Sequence, residues 1–406
     1  MAKLSNILLS AALIIGLFII AGCENDYPPS VYDPDAISNP APVIESVDPP
    51  AIALSGVTKI TILGKNFSPD IGKNVVFFDA QFATILEASE TRLYIQAPIY
   101  VADTLFIRIA VQGAELFSNT YQYRLKPAQH LIFSSTDGDQ QFGITTDAEG
   151  NLYASLIEKS VGVGIKKYTI AGVRSDYAPK GAETKYSALK MGPNGVLYGA
   201  RILKGIFQIT GPGKTGTTFA SGGGIGTIYD LDFDADKNIW AVGNNDKIYR
   251  VTPAKNIKGF DFKADLRSVR VFEGYVYVAG TKDNLNKVWR FPLTGNGEAG
   301  AVEEYIDYTA ATNGSIYKIY AITFAKDGDL YIGSDHPDGI HIVHPDKTVE
   351  PLYPGQFGPK TLLFSWGKDL DGNYNRLYFV KEMSSTQNQL YWADIQKEGA
   401  PYYGIM

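Results

Sequence analysis

Carboxylates, four histidines and one cysteine are the groups in this chain with the most obvious chemistry, and their spacing limits what that chemistry is. Asp232, Asp234 and Asp236 in DFDADKN alternate like the first three ligands of a calcium loop. Such a loop also needs glycine at its sixth position and glutamate at its twelfth. Lys237 and Gly243 stand there, so the pattern fails. Asp369 and Asp371 in DLDGNYN are incomplete in the same way. GPGKTGTT (Gly211 to Thr218) ends like a phosphate-binding loop, but Gln208 occupies the leading glycine position and no helical pattern follows. The histidines are His130, His336, His341 and His344. His341 and His344 share one predicted strand, where a three-residue step points them to opposite faces, so they are poor partners for one metal. No G-x-S-x-G nucleophile motif occurs. No catalytic residue, metal site or cofactor is therefore expected from linear motifs. Asp327-Gly328-Asp329 in AITFAKDGDLYIGS raises a choice between a calcium loop, a carboxylate pair and a turn between two strands.

The elements around that cluster decide the choice. From about His130 onward one pattern recurs: an alternating apolar strand, a Gly/Asp/Asn turn, and a second strand with an aromatic near its start. The copies are FGITTDAEGNLYAS, SALKMGPNGVLYGA, YDLDFDADKNIWAV, LRSVRVFEGYVYVA, YAITFAKDGDLYIG and TLLFSWGKDLDGNYNRLYFV. Their marker aromatics are Tyr153, Tyr198, Trp240, Tyr277, Tyr331 and Tyr378. A spacing of about 45 residues is that of a four-stranded propeller blade. KDGD occupies the slot that AEGN, GPNG and ADKN occupy elsewhere, so it reads as a hairpin turn. Six copies predict six blades closed into a ring. HLIFSST (His130 to Thr136) has no partner of its own and is predicted to add as the outer strand of the last blade. The repeats resemble NHL-type six-bladed propellers, a resemblance that spans roughly residues 128–406 and implies nothing about chemistry.

Aligning the copies shows a polar column in the first strand: Thr145, Lys190, Asp232, Arg270 and Thr323, with Phe364 in the sixth. Two residues earlier stand Gly143, Ala188, Asp230, Ser268 and Ala321, mostly small, as packing near a propeller axis requires. Lys190, Asp232 and Arg270 lie in consecutive blades with alternating sign. They are expected either to meet near the channel and bridge blades two to four or to satisfy local backbone groups, because a buried charge needs a partner.

Residues 42–125 hold short alternating strands and no amphipathic helix, the pattern of a β-sandwich. PVIESVDPP, ITILGKNF, LYIQAP and YQY fall in the order of the IPT/TIG family, which this segment resembles. The resemblance implies an immunoglobulin-like fold used as a spacer or binding module. Ahead of it, Lys3 and ILLSAALIIGLFIIAG have the layout of a secretory signal, with an uncleaved membrane helix as the alternative. Ile20-Ala21-Gly22-Cys23 resembles the bacterial lipobox, which implies cleavage before Cys23 and acylation of its sulfur. Cys23 is the chain's single cysteine, so an intrachain disulfide is excluded. ENDYPPSVYDPDAISNPAP is too polar to bury a core and reads as a tether. Its Glu24 and Asp26 resemble the acidic export signals of surface lipoproteins.

The expected organisation is a signal peptide (1–22), a lipid-anchored tether (23–41), an Ig-like domain (42–125) and a six-bladed β-propeller (128–406), an all-β protein. The net charge of −6, without a basic block, excludes a nucleic-acid partner. The expected setting is the cell envelope, on the outer membrane through Cys23 and exposed at the surface. The expected role is non-catalytic capture of a glycan. Trp366, Tyr374 and Trp392 are candidate stacking aromatics, since sugar C–H faces pack on exposed rings. A propeller hydrolase or lyase with a metal at the channel mouth, and a platform for an envelope protein, are the alternatives.

Overall fold

The computed structural model describes residues 38–181, 184–203 and 205–406. Cys23, the signal and most of the tether lie outside the described residues. Residues 42–126 form two antiparallel-rich sheets. One orders Val43–Asp48, Lys59–Lys65, Arg92–Gln96 and Thr84–Ala88; the other orders Ile52–Leu54, Tyr121–Lys126, Ala102–Val111, Asn74–Phe78 and Gln81–Phe82. Alternation sets their inner faces: Ile60 and Ile62 from one strand, Leu93 and Ile95 from its neighbour, and Ile107 and Ile109 are all fully buried.

The remainder is a six-bladed β-propeller. Four blades are separate four-stranded sheets, and an eight-stranded sheet supplies the other two. Their innermost strands are Gln140–Thr146, Ala188–Met191, Asp230–Phe233, the second half of Ile257–Phe272, Ile319–Phe324 and Thr361–Gly367. Ile257–Phe272 serves two blades. Its first half is the outer strand of blade 3, pairing with Asn244–Val251, and its second half is the inner strand of blade 4, pairing with Tyr275–Lys282. Each inner strand contacts the next around the axis, and the sixth contacts the first. The ring is closed at its outer edge by Gln129–Phe133, which pairs with Gln387–Asp394 of blade 6.

Closure is driven by what one blade cannot bury alone. Six apolar clusters fill the six spaces between neighbouring blades. Tyr153, Ile165, Leu189 and Leu197 pack between blades 1 and 2, and Phe219, Leu231 and Phe233 between blades 2 and 3. Trp240, Val269 and Val276 join blades 3 and 4; Tyr277, Ile322 and Phe324 join blades 4 and 5. Tyr331, Trp366 and Phe379 join blades 5 and 6, and Ile144, Tyr168 and Tyr378 close blade 6 on blade 1. Each such buried side chain contributes about 1.5–3 kcal/mol, and half of each cluster would face water if its neighbour were missing.

The small column behaves as its sequence suggests. A Cβ added to Gly143 would lie 2.6 Å from the Ala188 backbone carbonyl carbon of the next blade. The polar groups of the inner strands then stitch blades together by meeting backbone N–H groups on the neighbour's free edge. Thr145 Oγ1 accepts from Met191 N–H (3.0 Å), and Asp230 Oδ2 accepts from Val269 N–H (3.0 Å). Asp232 Oδ2 accepts from Val271 N–H (2.9 Å), and Ser268 Oγ from Ile322 N–H (3.1 Å).

The turns between first and second strands share a second device. Asp147 Oδ2 accepts from Asn151 Nδ2 (2.8 Å) and from the Tyr153 hydroxyl (2.9 Å). Asp234 Oδ2 accepts from Asn238 Nδ2 and from Trp240 Nε1, both at 2.9 Å. The marker aromatic is thus locked to the turn that precedes it, and two of the DFDADKN carboxylates, Asp232 and Asp234, are occupied by structural roles. In the fifth blade Gly328 adopts φ +93°. Asp327 Oδ2 pairs with Lys397 Nζ at 2.8 Å. Asp329 is buried between Lys397 and His344, whose Nδ1 lies 2.8 Å from Asp329 Oδ1.

Candidate functional site

The two ends of the propeller differ. At the end where the inner strands finish, the C-terminal residues fold across the axis. Gly399 bridges to Ala325, Ala400 N–H donates to Phe324 O (2.9 Å), and Lys237 Nζ donates to Tyr403 O (2.7 Å) and Met406 O (3.1 Å). Gly399 sits where a Cβ would come within 2.2 Å of the Trp366 ring. Tyr402, 4% exposed, fills the centre. The Arg270 guanidinium lies over its ring at 4.0 Å and Lys190 Nζ at 4.4 Å.

Lys190, Asp232 and Arg270 are brought together around this tyrosine. Arg270 Nη1 and Asp232 Oδ2 form an ion pair at 2.8 Å, and both side chains are buried. Arg270 Nη2 donates to Ala400 O (3.0 Å) and Pro401 O (2.9 Å), tying the tail to blade 4. Lys190 makes no ion pair within 4 Å among the described residues. Burial opposes its charge, but Tyr402, Asp232 and Asp230 together hold its pKa above the ordinary lysine value. Burial pushes the Asp230 carboxyl up, with Lys190 acting against the shift. A cavity of about 20 Å³ lies on the other side of this cluster, lined by Lys190, Asp230, Ser268, Tyr320 and Phe364. It has room for about one water molecule. The axis is therefore filled at the tail-bearing end by Tyr402 and the Arg270–Asp232 pair.

The end where the inner strands begin carries a groove of about 830 Å³ over blades 3 and 4. That volume lies within the range of ligand sites. Four connections form it: the Gly223–Gly224 loop, the Asn244–Lys247 hairpin, Lys263–Asp265 of the long strand and the Thr281–Asp283 hairpin. The last hairpin is tight, with Asp283 and Asn284 both at positive φ (51° and 62°). Asn245 is a framework residue, its amide bonded to the Thr227 backbone, with Oδ1 2.9 Å from Thr227 N. The Tyr249 hydroxyl donates to Gly224 O (3.0 Å). The remaining wall is hydrophilic. Lys263 Nζ stands 3.6 Å from Asp246 Oδ1, and Lys247 Nζ 3.3 Å from Asp261 Oδ1, in solvent-exposed pairs. Such pairs contribute little to stability, so a ligand can rearrange them at small cost.

The three stacking candidates do not share a surface. Trp366 is fully buried between blades 5 and 6, so it cannot present a ring to a ligand; this corrects its expected role. Trp392 is stacked on His130 of the clasp strand (3.9 Å, 9°), and Arg376 covers it from the opposite neighbouring strand at 4.3 Å. Both ring faces are covered, while the half-buried ring lines a pocket of about 410 Å³ with His130, Ile170 and Arg376. Tyr374 lines a cleft of about 300 Å³ beside the C-terminal tail, with its hydroxyl buried. Exposed aromatics are found instead on the Ig-like unit, where Phe82 (63% exposed), Phe117 (49%) and Phe77 cluster and Arg108 lies 5.2 Å from the Phe117 ring.

Two features escape a linear reading. Tyr402 lies beyond the last repeat and has no aligned counterpart. His336, Asp338 and His341 gather in the blade 5 loop on the groove-bearing end, with one ligand-capable atom from each within 4.8 Å of the others. Burial, and next His336, lower the His341 pKa to about 4, which keeps this imidazole neutral. His344 belongs to the other end with Asp329 and Glu350 (3.2 Å). The signal for the cluster is HPDGIH, whose histidines stand five residues apart with a carboxylate and a glycine between them.

Residues 42–125 match the IPT/TIG domain. No curated protein matches the chain. Among solved structures, a Bacteroides thetaiotaomicron protein with a provisional phosphatase description is similar at 10% identity, with 91% of this chain and 98% of that one covered and a TM-score of 0.55. A luciferin-regenerating enzyme is similar at 11% identity, covering 69% and 99% of the two chains, TM-score 0.51. An auxiliary nutrient binding protein from Bacteroides thetaiotaomicron shows 12% identity over 89% and 99%, TM-score 0.46. For the first two the likeness is one of fold.

Proposed function

We propose that this chain is a non-catalytic binding protein of the bacterial cell envelope, in which the propeller offers its strand-entry groove to a glycan. The observation that carries the reading is the groove's wall. Carboxylates, ammonium groups and amides surround a volume of about 830 Å³, a donor and acceptor set suited to sugar hydroxyls. The tail and the Arg270–Asp232 pair fill the axis at the end opposite the groove. Cys23 supplies the membrane attachment through its acyl chains, and along the sequence the tether and Ig-like unit come between anchor and propeller. Two or more acyl chains, at about 0.8 kcal/mol per buried methylene, hold such a protein stably on a membrane. The outer-membrane surface is the location this arrangement serves. The test is a glycan-array screen of the soluble chain, with and without chelator, followed by analysis of the bound glycan for cleavage. Binding without turnover supports the reading; cleavage overturns it.

A second reading, a platform for an envelope protein, is favoured by the aromatic face of the Ig-like unit. Exposed apolar patches of this kind mark protein interaction sites. Loss of partner capture by Phe82→Ser together with Phe117→Ser, with glycan binding intact, would assign protein recognition to that face.

A further inference from the structure

We propose that His336, Asp338 and His341 form a binding site for a divalent transition metal of the zinc type, on the groove-bearing end of blade 5. The site is built within a single connection. Tyr331-Ile332-Gly333-Ser334 ends the second strand of the blade, Ile340–Val343 forms the third, and HPDGIH spans the turn between them. Gly339 at φ +75° makes the turn tight enough to return His341 beside His336. The two imidazoles meet edge to face, with ring centres 4.4 Å apart. Asp338 Oδ2 lies 3.5 Å from His336 Nδ1.

The hydrogen bonds leave each residue one atom to give. His341 Nδ1 is engaged by the Tyr308 hydroxyl at 3.0 Å. That hydroxyl is fixed in turn against Ser334 Oγ at 2.8 Å. Tyr308 itself is fully buried in a helical turn capped by Asp307. Metal-ligating histidines commonly have their second nitrogen held by such an outer partner, which sets the tautomer and the ring orientation. Among the described residues no hydrogen bond takes His341 Nε2. Asp338 Oδ1 accepts from Gly355 N–H (3.0 Å), which leaves Oδ2 facing the histidines. His336 Nδ1 accepts from Asp338 N–H (3.1 Å), which leaves its Nε2.

Two imidazoles and one carboxylate are a borderline-soft donor set, preferred by zinc, cobalt, nickel or iron over calcium or magnesium. One ligand-capable atom of each residue lies within 4.8 Å of the others; zinc binds such atoms at about 2.0–2.2 Å, so the side chains must turn inward, His336 with Nε2 in place of the Nδ1 that faces Asp338. Three protein ligands leave a coordination position open to water or to a donor atom of a bound molecule. The site stands apart from the blade 3–4 groove and does not depend on its ligand.

The test uses the full chain, purified with a tag free of histidine, stripped with chelator and titrated with zinc chloride alone by calorimetry and by metal analysis after dialysis. One zinc per chain is expected, with calcium and magnesium failing to compete. His336→Ala and Asp338→Asn, both at partly exposed positions, should abolish the bound equivalent. His344→Gln, at the other end of the blade, should retain it. Tyr308→Phe should keep the stoichiometry and weaken affinity about 10–100-fold, the range for loss of an outer partner. No zinc bound by the wild type, or an unchanged equivalent in both His336→Ala and Asp338→Asn, overturns the proposal. Circular dichroism of each variant separates loss of metal from loss of fold.

Discussion

Arg270 and Asp232, from the inner strands of adjacent blades, meet at 2.8 Å with neither side chain open to solvent. Asp232 also receives the backbone N–H of Val271, so one carboxylate secures both a cation and a blade edge. Asp232→Ala should destabilise the protein by about 3–5 kcal/mol, because it leaves a buried guanidinium unpaired beside Lys190. Asp232→Asn keeps an acceptor for Val271 and should cost less. Urea unfolding of the two variants checks the order; equal stability of Asp232→Ala and wild type would remove the pair from the account.

Tyr402 ties the tail to the axis. Its hydroxyl accepts from Trp366 N–H at 3.2 Å, and its ring carries Arg270 and Lys190. Tyr402→Ala should cost about 3–5 kcal/mol, as for other large buried aromatics. Tyr402→Phe loses the hydroxyl's bonds to Trp366 N–H and to Thr323 Oγ1 (3.4 Å), worth about 0.5–1.5 kcal/mol each. Thermal unfolding should rank wild type, Phe and Ala in that order.

The clasp gives a separate expectation. Asn388, 2% exposed, uses its side chain to pair both Gln141 N–H (2.6 Å) and Gln141 C=O (3.0 Å) across from blade 6 to blade 1. Asn388→Ala leaves these two buried groups unmet, at about 1–3 kcal/mol each. Deleting residues 129–133 should expose the Gln387–Asp394 edge and cause concentration-dependent association, visible by light scattering.

His344 makes stability depend on pH. Burial opposes its charge, but Asp329 and then Glu350 raise its folded pKa above the ordinary histidine value of 6.5. The charged form is therefore favoured by folding. The stabilisation is complete below about pH 6.5 and is lost as pH rises through the higher folded value. Melting temperature measured from pH 6 to pH 9 should fall over that interval in the wild type, and His344→Gln should flatten the fall.

The fold was readable because propeller blades repeat. Tyr153, Trp240 and Tyr331 recur at blade spacing, and each is buried where two blades meet. The clasp was readable because HLIFSST lacked a local partner, and the structure supplies Gln387–Asp394. Site residues were less legible. Trp366, Trp392 and Tyr374 stood in irregular segments, but aromatic content alone does not separate a core ring from a surface one. Trp366 is core, and Trp392 is covered by His130 and Arg376, residues distant in sequence. The groove combines Asn244, Lys263 and Thr281 from three hairpins and strands, a juxtaposition set by blade packing that no contiguous stretch encodes. HPDGIH was contiguous, but its metal-like geometry depends on the turn at Gly339 and on Tyr308 arriving from another blade.

The most direct measurement of the central claim is calorimetric titration of the soluble chain with the strongest glycan from the array. The wild type is set beside Asp246→Ala/Lys263→Ala in the groove and Lys326→Ala on the tail-bearing end. All three lie in exposed pairs, so stability should stay within about 0.5 kcal/mol of wild type. The account predicts at least a tenfold loss of affinity in the groove variant, unchanged affinity in Lys326→Ala, and an intact glycan after the titration. Equal affinity in the groove variant, or a cleaved glycan, would contradict it.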